Sequence, residues 1–583
     1  MDRLLQTWVT QQADVRPGDA AIVSGADTLT YGQLETASNQ LAHLLQTAGC
    51  QNGDRVCILM PKSPEAIVSM IGILKAGAMH VPIDVATPAA RIRHIFDSCE
   101  NRIIIAGGRV VPLLDELMSD ESLRSRTTII WLENLAGVAP DATSAAEVPF
   151  APEAKNFKIT FSARDLKSAP STPLPQHRAA SDGSHILFTS GSTGVPKGVV
   201  ITHSNVSTFV GWALKHYGIG HTDRFSGHTP FHFDLSTFDI FGSITAGAQL
   251  HLVPSETALL PPKLAEFIRA SKLTQWFSVP SVLNYMAKFN SVQQNDFPDL
   301  RRVLWCGEVL PTPALIYWME RLPKVHFSNL YGPTEATIAS SYYDVTTCPT
   351  DPKSQIPIGT PCDGEDLLVL DDKLALLPVR EIGDLYISGA GLSPGYWRDP
   401  AKTAAAFIQD PTAPHDSTRR LYRTGDLAFR DDHGLVNFVG RADTQIKVRG
   451  YRIELGEIET ALNSMTRLQE CAVVAIPTDN FGGYMICAAY VVRSGEQATL
   501  GDLREHLKKL VPNYMMPARW TAYEALPKNA NGKIDRPRLK DAFARNETDG
   551  KGEIQAEGQA KSPSTSTPAT EPSFPPDTRS SRV

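Results

Sequence analysis

The sequence predicts an α/β protein. A large N-terminal part, with parallel or mixed sheets flanked by helices, precedes a small α+β C-terminal domain. Three observations carry this prediction. Residues 54–84 alternate strand, helix and strand patterns, which is typical of a parallel sheet. The alternation restarts on a smaller scale after about Arg441. The chain has 583 residues, which is more than one hydrophobic core usually supports.

The first strand–helix–strand unit is indicated by its end signals. The apolar run "DRVCILM" (residues 54–60) is typical of a buried strand. Ser63 can cap the helix that follows, Pro64 suits its first position, and Gly77 marks its end. "MHVPID" (residues 79–84) then returns as a second strand. The two strands are therefore expected to run parallel.

Composition excludes several classes of protein. Hydrophobic residues at 42% and charged residues at 20% describe an ordinary globular chain. The net charge is −7 and there is no long basic run, so we expect no nucleic-acid partner. The eight cysteines form no C-x-x-C pair, which favours reduced thiols in a cytoplasmic protein. Because no apolar run is long enough to cross a bilayer, we expect no membrane association.

Changes in pattern divide the chain into three segments. Residues 1–442 form the predicted large part, which contains a loop rich in Ser, Pro and Ala at residues 162–183. Residues 443–542 form the predicted small domain, with helical and strand-like runs such as "ELGEIETALNSM" and "YMICAAYVVR". Large apolar residues nearly vanish from about Arg545 onward, so residues 543–583 are predicted to be a disordered tail.

The segment "TSGSTGVPKG" (residues 189–198) is a predicted phosphate clamp between two strands. Its small residues allow close approach of backbone N–H groups, its hydroxyls add donors, and its lysine adds charge. It does not match the Walker A spacing. A generic run of this composition is usually only a flexible turn. The residues predicted to contact phosphate are Thr189, Ser190, Gly191, Ser192, Thr193, Gly194 and Lys197.

Together with further motifs, this segment resembles the signature of the acyl-adenylate-forming superfamily. The other motifs occur in the order found in adenylation domains of nonribosomal peptide synthetases: "LTYGQL", "LKAGAMHVPID", "FDLS", "NLYGPTE", "GDLYISGAGLSPGYW", "YRTGDL", "GRADTQIKVRGYRIEL", "LVPNYMMP" and "NGKIDR". The resemblance covers roughly residues 10–540. It implies packed N-terminal subdomains, a mobile C-terminal domain, and use of ATP and Mg²⁺. It also implies formation of an acyl-adenylate, followed by transfer of the acyl group to a thiol.

The resemblance assigns the nucleotide-binding residues. Glu335 would bind Mg²⁺, Thr334 would donate to the α-phosphate, and Asp426 would accept from both ribose hydroxyls. The remaining residues implied to contact the nucleotide are Asn329, Tyr331, Gly332 and Arg441. Phe438 stands where related domains often have Tyr, so any hydrogen bond from that position to the ribose is lost.

Three residues near or within the C-terminal domain receive roles from the same resemblance. Lys533 in "NGKIDR" would catalyse adenylate formation by bridging the substrate carboxylate and the phosphates. Asp443 would be the hinge about which the small domain rotates between the two half-reactions. Gly450 would face the pantetheine thiol in the second state, because a glycine permits close backbone approach. Without the motifs, each would be an ordinary residue of a turn or surface hairpin.

Asp234 in "FDLS" is the residue from which the substrate class is inferred. In amino-acid-activating members of the superfamily the aspartate of this motif pairs with the substrate α-ammonium, although Asp234 could also cap the helix that follows. The other walls of the pocket are predicted by motif spacing to be Leu235, Phe238, Phe277, Leu304, Cys306, Leu330, Ile338 and Ala339. This uncharged set favours a small apolar side chain. The set resembles the pocket residues of free-standing prolyl-activating enzymes, so proline is the first expected substrate.

These inferences predict a stand-alone amino acid–carrier protein ligase. No carrier-protein motif such as "GGDS" occurs, so the thiol is expected on a separate phosphopantetheinylated carrier protein. The alternatives are a ligase for D-alanine or another small amino acid, and an acyl- or aryl-CoA ligase, against which Asp234 argues. A non-catalytic relative is a further alternative, against which the presence of Lys533, Glu335 and Asp426 argues.

Overall fold

The structure is a computed structural model that describes residues 4–133, 135, 154–191, 195–413, 415–416, 419–478, 483–529 and 533–545. Three residues of the predicted phosphate clamp, Ser192, Thr193 and Gly194, lie outside the described residues. So do residues 546–583 of the predicted tail.

Strands and helices alternate through most of the described chain. The strands are β1 (Ala20–Ser24), β2 (Asp27–Thr30), β3 (Arg55–Leu59), β4 (Met79–Pro82), β5 (Ile103–Ala106), β6 (Thr128–Trp131), β7 (Phe161–Ser162), β8 (Gly183–Thr189), β9 (Lys197–Thr202), β10 (Arg224–Gly227), β11 (Gln249–Leu252), β12 (Gln275–Ser278), β13 (Arg302–Cys306), β14 (His326–Tyr331), β15 (Ser341–Asp344), β16 (Thr360–Pro361), β17 (Glu365–Leu370), β18 (Gly383–Gly389), β19 (Gly395–Tyr396), β20 (Phe407–Gln409), β21 (Arg420–Arg430), β22 (Val436–Arg441), β23 (Gln445–Val448), β24 (Tyr451–Glu454), β25 (Leu468–Pro477), β26 (Tyr484–Val492) and β27 (Arg519–Ala522).

The α-helices are α1 (Thr7–Val15), α2 (Tyr31–Thr47), α3 (Pro64–Lys75), α4 (Ala89–Ser98), α5 (Val111–Leu117), α6 (Glu121–Arg124), α7 (Ala163–Ser168), α8 (His203–Tyr217), α9 (Leu235–Ala246), α10 (Ser255–Ala258), α11 (Pro261–Ala270), α12 (Pro280–Lys288), α13 (Thr312–Arg321), α14 (Pro400–Ala406), α15 (Leu455–Asn463), α16 (Leu500–Lys508) and α17 (Arg536–Arg545). Short 3₁₀ turns occur at Thr334–Ala336 and Asn513–Met515. In none of the described helices is there an apolar stretch long enough to cross a membrane.

Two large mixed sheets form the framework of the N-terminal part. One has the strand order β16-β15-β14-β13-β12-β10-β11-β1-β2, and the other has the order β19-β9-β8-β4-β3-β5-β6-β7. Strands β3 and β4 pair in parallel across α3, as predicted. Ser63 caps α3 by accepting from the Ala66 N–H, and Pro64 occupies its first turn. Parallel strands from β10 to β14 end at one edge of the first sheet, and the candidate site lies there.

A third, antiparallel sheet joins β17, β18, β20, β21 and β22. The small domain follows it and contains the β23–β24 hairpin together with the three-stranded sheet β25-β26-β27. Its core is separate from that of the large part and includes Ile453, Ile458 and Leu507. The α/β fold class is thus confirmed, as is the presence of a smaller α+β C-terminal unit.

The last described helix shifts one predicted boundary. Helix α17 continues to Arg545, so its last three residues fall in the predicted tail, which was expected to start at residue 543. Phe543 is buried against the face of the small sheet that carries Val474 and Val491, and its carbonyl oxygen accepts from Arg519 at 2.8 Å. Because this packing requires residues 543–545, they belong to the small domain rather than to a tail.

Two buried histidines stack between neighbouring strands of the second sheet. The rings of His80 on β4 and His185 on β8 lie 4.9 Å apart with an interplanar angle of 13°. Among the described residues, neither ring nitrogen of His80 has a hydrogen-bond partner. Burial lowers the pKa of His185 to about 3, and the nearby charge of His203 adds to this effect. Both imidazoles are therefore neutral in the folded protein.

Replacing this pair with His80→Phe and His185→Phe is expected to reduce the loss of stability in acid. The pKa of His185 is about 3 when folded and about 6.5 when unfolded. The unfolded state therefore binds more protons as the pH falls through this window, and stability falls with it. At pH 5 the cost is about 2 kcal/mol for one such histidine. Urea unfolding at pH 7 and pH 5 measures the difference. An equal acid-induced loss in both proteins would contradict this account.

Candidate active site

The carboxylate of Glu335 is the centre of the site. It is fully buried in the 3₁₀ turn that follows β14. Its oxygens accept hydrogen bonds from Arg452 Nη1 at 2.9 Å and from the Tyr396 hydroxyl at 2.8 Å, and Lys197 Nζ lies 3.3 Å away. Because Arg452 belongs to β24 of the small domain, this ion pair joins the two parts of the chain.

The cations set the charge of Glu335. Burial alone would raise its pKa, but the charges of Arg452 and Lys197 outweigh burial and hold the pKa well below its ordinary value. The carboxylate is therefore ionised. Its oxygens are already held by cations, so the residue does not fit Mg²⁺ in this arrangement. No group of three His, Cys, Asp or Glu side chains in the described residues is arranged to hold a metal ion.

The described ends of the phosphate clamp face the same ion pair. Ser190 follows β8, and its hydroxyl donates to the Arg452 carbonyl oxygen at 2.6 Å. Lys197 begins β9, and its ammonium also donates to the Tyr396 hydroxyl at 3.3 Å. Strands β8 and β9 pair antiparallel, in agreement with the predicted strand–loop–strand. The clamp therefore opens toward Glu335, although its three central residues lie outside the described residues.

A cleft of about 240 Å³ is lined by four of the residues predicted to contact the nucleotide, and its lining does not include Gly332 or Thr334. Asn329, Tyr331, Asp426, Phe438 and Arg441 all line it. The Tyr331 hydroxyl donates to Asp426, and Arg441 donates to the other oxygen of the same carboxylate at 2.7 Å. The cleft thus combines an aromatic face with a carboxylate, which are groups able to hold a base and a ribose diol.

Asp234 directly precedes α9, whose Leu235 is one of the predicted walls, and contacts Thr334. The Thr334 hydroxyl donates to its Oδ2 at 2.7 Å, and burial raises its pKa although this hydrogen bond opposes the rise. The side chain makes no capping hydrogen bond to α9, so the capping alternative is not what the structure shows. The Asp234 carboxylate thus lies next to Thr334, the residue before Glu335.

The predicted walls of the substrate pocket come together in one cluster. Strands β12, β13 and β14 and helix α9 contribute most of them, since their ends meet at the same edge of the sheet. The predicted walls, all buried members of this larger core cluster, are Leu235, Phe238, Phe277, Leu304, Cys306, Leu330, Ile338 and Ala339. Phe238 packs edge-to-face on Phe277 with ring centroids 5.8 Å apart, so two aromatic rings lie among the predicted walls.

The small domain presents its β23–β24 turn to the site. Gly450 has φ +81° and packs against Val279. Lys533 is exposed; its N–H donates to Asn529 at 3.0 Å, and it is not among the described residues that line the cleft. Asp443 accepts a hydrogen bond from Arg441 at 3.0 Å. This arrangement brings Gly450 to the site and leaves Lys533 outside it.

Sequence reasoning did not single out Arg452, Tyr396 or Glu308 as functional. Arg452 and Tyr396 lie inside motifs that were recognised, but their contacts to Glu335 depend on how distant segments pack. Glu308 follows the end of β13, and the carboxyl ends of parallel strands commonly carry ligand-binding residues. The position of Glu308 just after an apolar run typical of a strand was therefore the sequence signal that could have identified it.

The fold and site define a two-part nucleotide-binding enzyme whose C-terminal domain contributes to the site. The model of the AMP-binding enzyme family matches residues 9–397, and that of the AMP-binding enzyme C-terminal domain matches residues 457–533. The chain therefore belongs to the family of AMP-binding enzymes. The resemblance inferred from its motifs is confirmed.

Its relatives include both free-standing and multidomain proteins. L-proline--[L-prolyl-carrier protein] ligase of Streptomyces coelicolor is 34% identical over 88% of this chain and 92% of its own length. Tyrocidine synthase 3 of Brevibacillus parabrevis is 31% identical over 92% of this chain, which spans only 8% of that protein. The Vibrio cholerae adenylation domain AlmE in complex with glycyl-adenosine-5'-phosphate superposes with a TM-score of 0.77 at 25% identity, over 94% of this chain and 98% of its own.

Replacing Arg452 with Met is expected to weaken docking of the β23–β24 hairpin. Removal of one partner of a buried ion pair typically costs about 3 to 5 kcal/mol. Backbone amides of β24 should exchange with deuterium at least tenfold faster, as measured by mass spectrometry. Arg467→Met is the matched control, because its pair with Asp502 is exposed and 3.6 Å long, a type worth about 1 kcal/mol at most. Equal exchange in both variants would refute the structural role of the Arg452–Glu335 pair.

Proposed function

We propose that the protein activates a small apolar amino acid with ATP and transfers it to the thiol of a separate carrier protein. The substrate carboxylate attacks the α-phosphorus and pyrophosphate leaves. The thiol then attacks the resulting mixed anhydride, and AMP leaves. The observation that carries the proposal is the position of Asp234: its carboxylate accepts from Thr334, the neighbour of Glu335, and the next residue, Leu235, belongs to the predicted apolar walls.

Asp234 supports an amino acid as the substrate rather than a simple carboxylic acid. A half-buried carboxylate beside an apolar pocket can pair with an α-ammonium group and orient it by a charge-assisted hydrogen bond. An aryl or fatty acid would leave this carboxylate desolvated with the Thr334 hydroxyl but no opposite charge beside it, which is costly. The carboxylate end of the amino acid would then lie toward Thr334, next to the phosphate clamp.

The pocket base supports a small side chain. Phe238 and Phe277 pack on each other, and Phe209 packs edge-to-face on Phe238 with centroids 5.5 Å apart, so bulky rings already occupy part of the space among the predicted walls. We propose proline as the first substrate, and the similarity to the prolyl-carrier protein ligase supports it. Because one methylene discriminates weakly in an apolar pocket, alanine of either hand is the next candidate.

We propose that two arrangements of the small domain serve the two half-reactions. Rotation about Asp443 would bring Lys533 to the phosphates for adenylate formation and would withdraw Arg452 from Glu335. The freed carboxylate could then hold Mg²⁺, which supplies charge neutralisation at the phosphates. The arrangement described above, with Gly450 at the site, would serve transfer to a phosphopantetheine thiol.

Amino-acid-dependent exchange of pyrophosphate into ATP tests the proposed function. All common amino acids, with both enantiomers of alanine, are assayed beside aryl and fatty acids. Proline is expected to give the fastest exchange. Asp234→Asn should reduce kcat/KM for the amino acid by about 10²-fold, since it removes a charge-assisted hydrogen bond. Exchange with aryl or fatty acids but with no amino acid would overturn the proposal.

Lys533→Ala separates the two half-reactions. The lysine charge is proposed to act only while the carboxylate attacks ATP, so adenylate formation should fall by at least about 10³-fold. Thiol transfer from a supplied aminoacyl-adenylate should stay within about threefold of the unaltered protein, because the exposed Lys533 makes no contact with the cleft in that arrangement. Lys540→Ala on the neighbouring helix is the control. Equal loss of both steps would refute this role.

A further inference from the structure

Glu308 holds the glycine turn of the small domain in a socket of the large part. The Gly450 N–H donates to Glu308 Oε1 at 2.7 Å. A Cβ at Gly450 would lie 2.6 Å from Val279 Cγ1 and 3.5 Å from the Phe233 ring. Tyr451, the next residue, packs edge-to-face on that same ring with centroids 4.9 Å apart. The turn is therefore fixed by one hydrogen bond and by close packing.

The second oxygen of Glu308 is bound within the large part. Oε2 accepts from the Ser281 N–H at 3.1 Å, and Ser281 lies in the first turn of α12. That helix follows β12 directly after Val279, which forms the wall of the socket. One carboxylate thus ties the socket wall to the small-domain turn by two backbone N–H groups.

We propose that Glu308 is a positioning residue for the thiol-transfer step, a role that rests on the function proposed above. Its contact with Gly450 exists in the arrangement that leaves Lys533 outside the cleft. A contact made in only one of two arrangements shifts the population toward that one. In the step it supports, a C–S bond forms, the C–O bond to AMP breaks, and the thiol proton passes to water.

Glu308→Gln is a discriminating variant because it preserves size. A carboxylate has two acceptor oxygens, whereas an amide has one oxygen and an NH₂ group. Glutamine can therefore accept from Gly450 or from Ser281, but its NH₂ group must face the other N–H. The loss of one charge-assisted hydrogen bond, together with this donor–donor conflict, is expected to slow the supported step by about tenfold or more.

The two half-reactions are assayed separately with the amino acid that the exchange screen identifies and with free pantetheine as the thiol. Thiol transfer from preformed adenylate should fall at least tenfold more in Glu308→Gln than pyrophosphate exchange does. Glu320→Gln on the exposed face of α13 is the matched control. Equal loss in both half-reactions, or no loss in transfer, would overturn the role of Glu308. Absence of exchange in the unaltered protein would instead count against the proposed function.

A second pair of variants tests the socket without altering Glu308. Gly450→Ala should slow transfer because a side chain is strained at φ +81° and its Cβ would meet Val279 Cγ1. The added change Val279→Ala removes Cγ1 and should restore only the part of the rate lost to that contact. Deuterium exchange of the Gly450 amide gives a readout independent of activity, and it should accelerate in Glu308→Gln but not in Glu320→Gln. An unchanged Gly450 amide would refute the inference.

Discussion

The arrangement of the two parts depends on the need to neutralise one buried carboxylate. An ionised Glu335 in the protein interior costs several kcal/mol unless cations and hydrogen bonds compensate it. Lys197 comes from the strand after the phosphate clamp, and Arg452 comes from the small domain. Tyr396 adds its hydroxyl from β19. Three segments that are distant in sequence must therefore meet at one point, and the small domain is docked as a consequence.

Because of the same requirement, Glu335 can bind either Arg452 or a divalent cation, but not both at once. While Arg452 donates to both oxygens, a divalent cation cannot reach them. If another cation took the place of Arg452 at Glu335, β24 would lose its ion pair with the large part. The contact of Ser190 with the Arg452 carbonyl oxygen places the phosphate clamp next to this exchange. Under the proposed function, binding of phosphates at the clamp and the position of the small domain would therefore be linked through electrostatics at a single residue.

Local signals in the sequence were sufficient for part of the fold. The strand–helix–strand unit around α3 was predictable because Ser63, Pro64 and Gly77 specify the ends of the helix. The predictions for Asp234 and the pocket walls came from motif resemblance. The spacing of apolar residues along the chain did not indicate them. By contrast, the Arg452–Glu335 pair joins residues 117 positions apart and exists only when the small domain is docked. The end of α17 at Arg545 was missed because Phe543 packs on a sheet that composition alone cannot reveal.

If Asp234 binds the substrate ammonium as proposed, its position would couple recognition and chemistry within a short distance. Its carboxylate accepts from Thr334, and the next residue is Glu335, which faces the phosphate clamp. An ammonium group held by Asp234 places the attached carboxylate a few bonds away, on the side of that clamp. An acid without an ammonium group lacks this anchor, even if the apolar pocket accepts its side chain. In the proposed function, selection for amino acids would therefore operate through orientation at the reacting atoms as well as through binding.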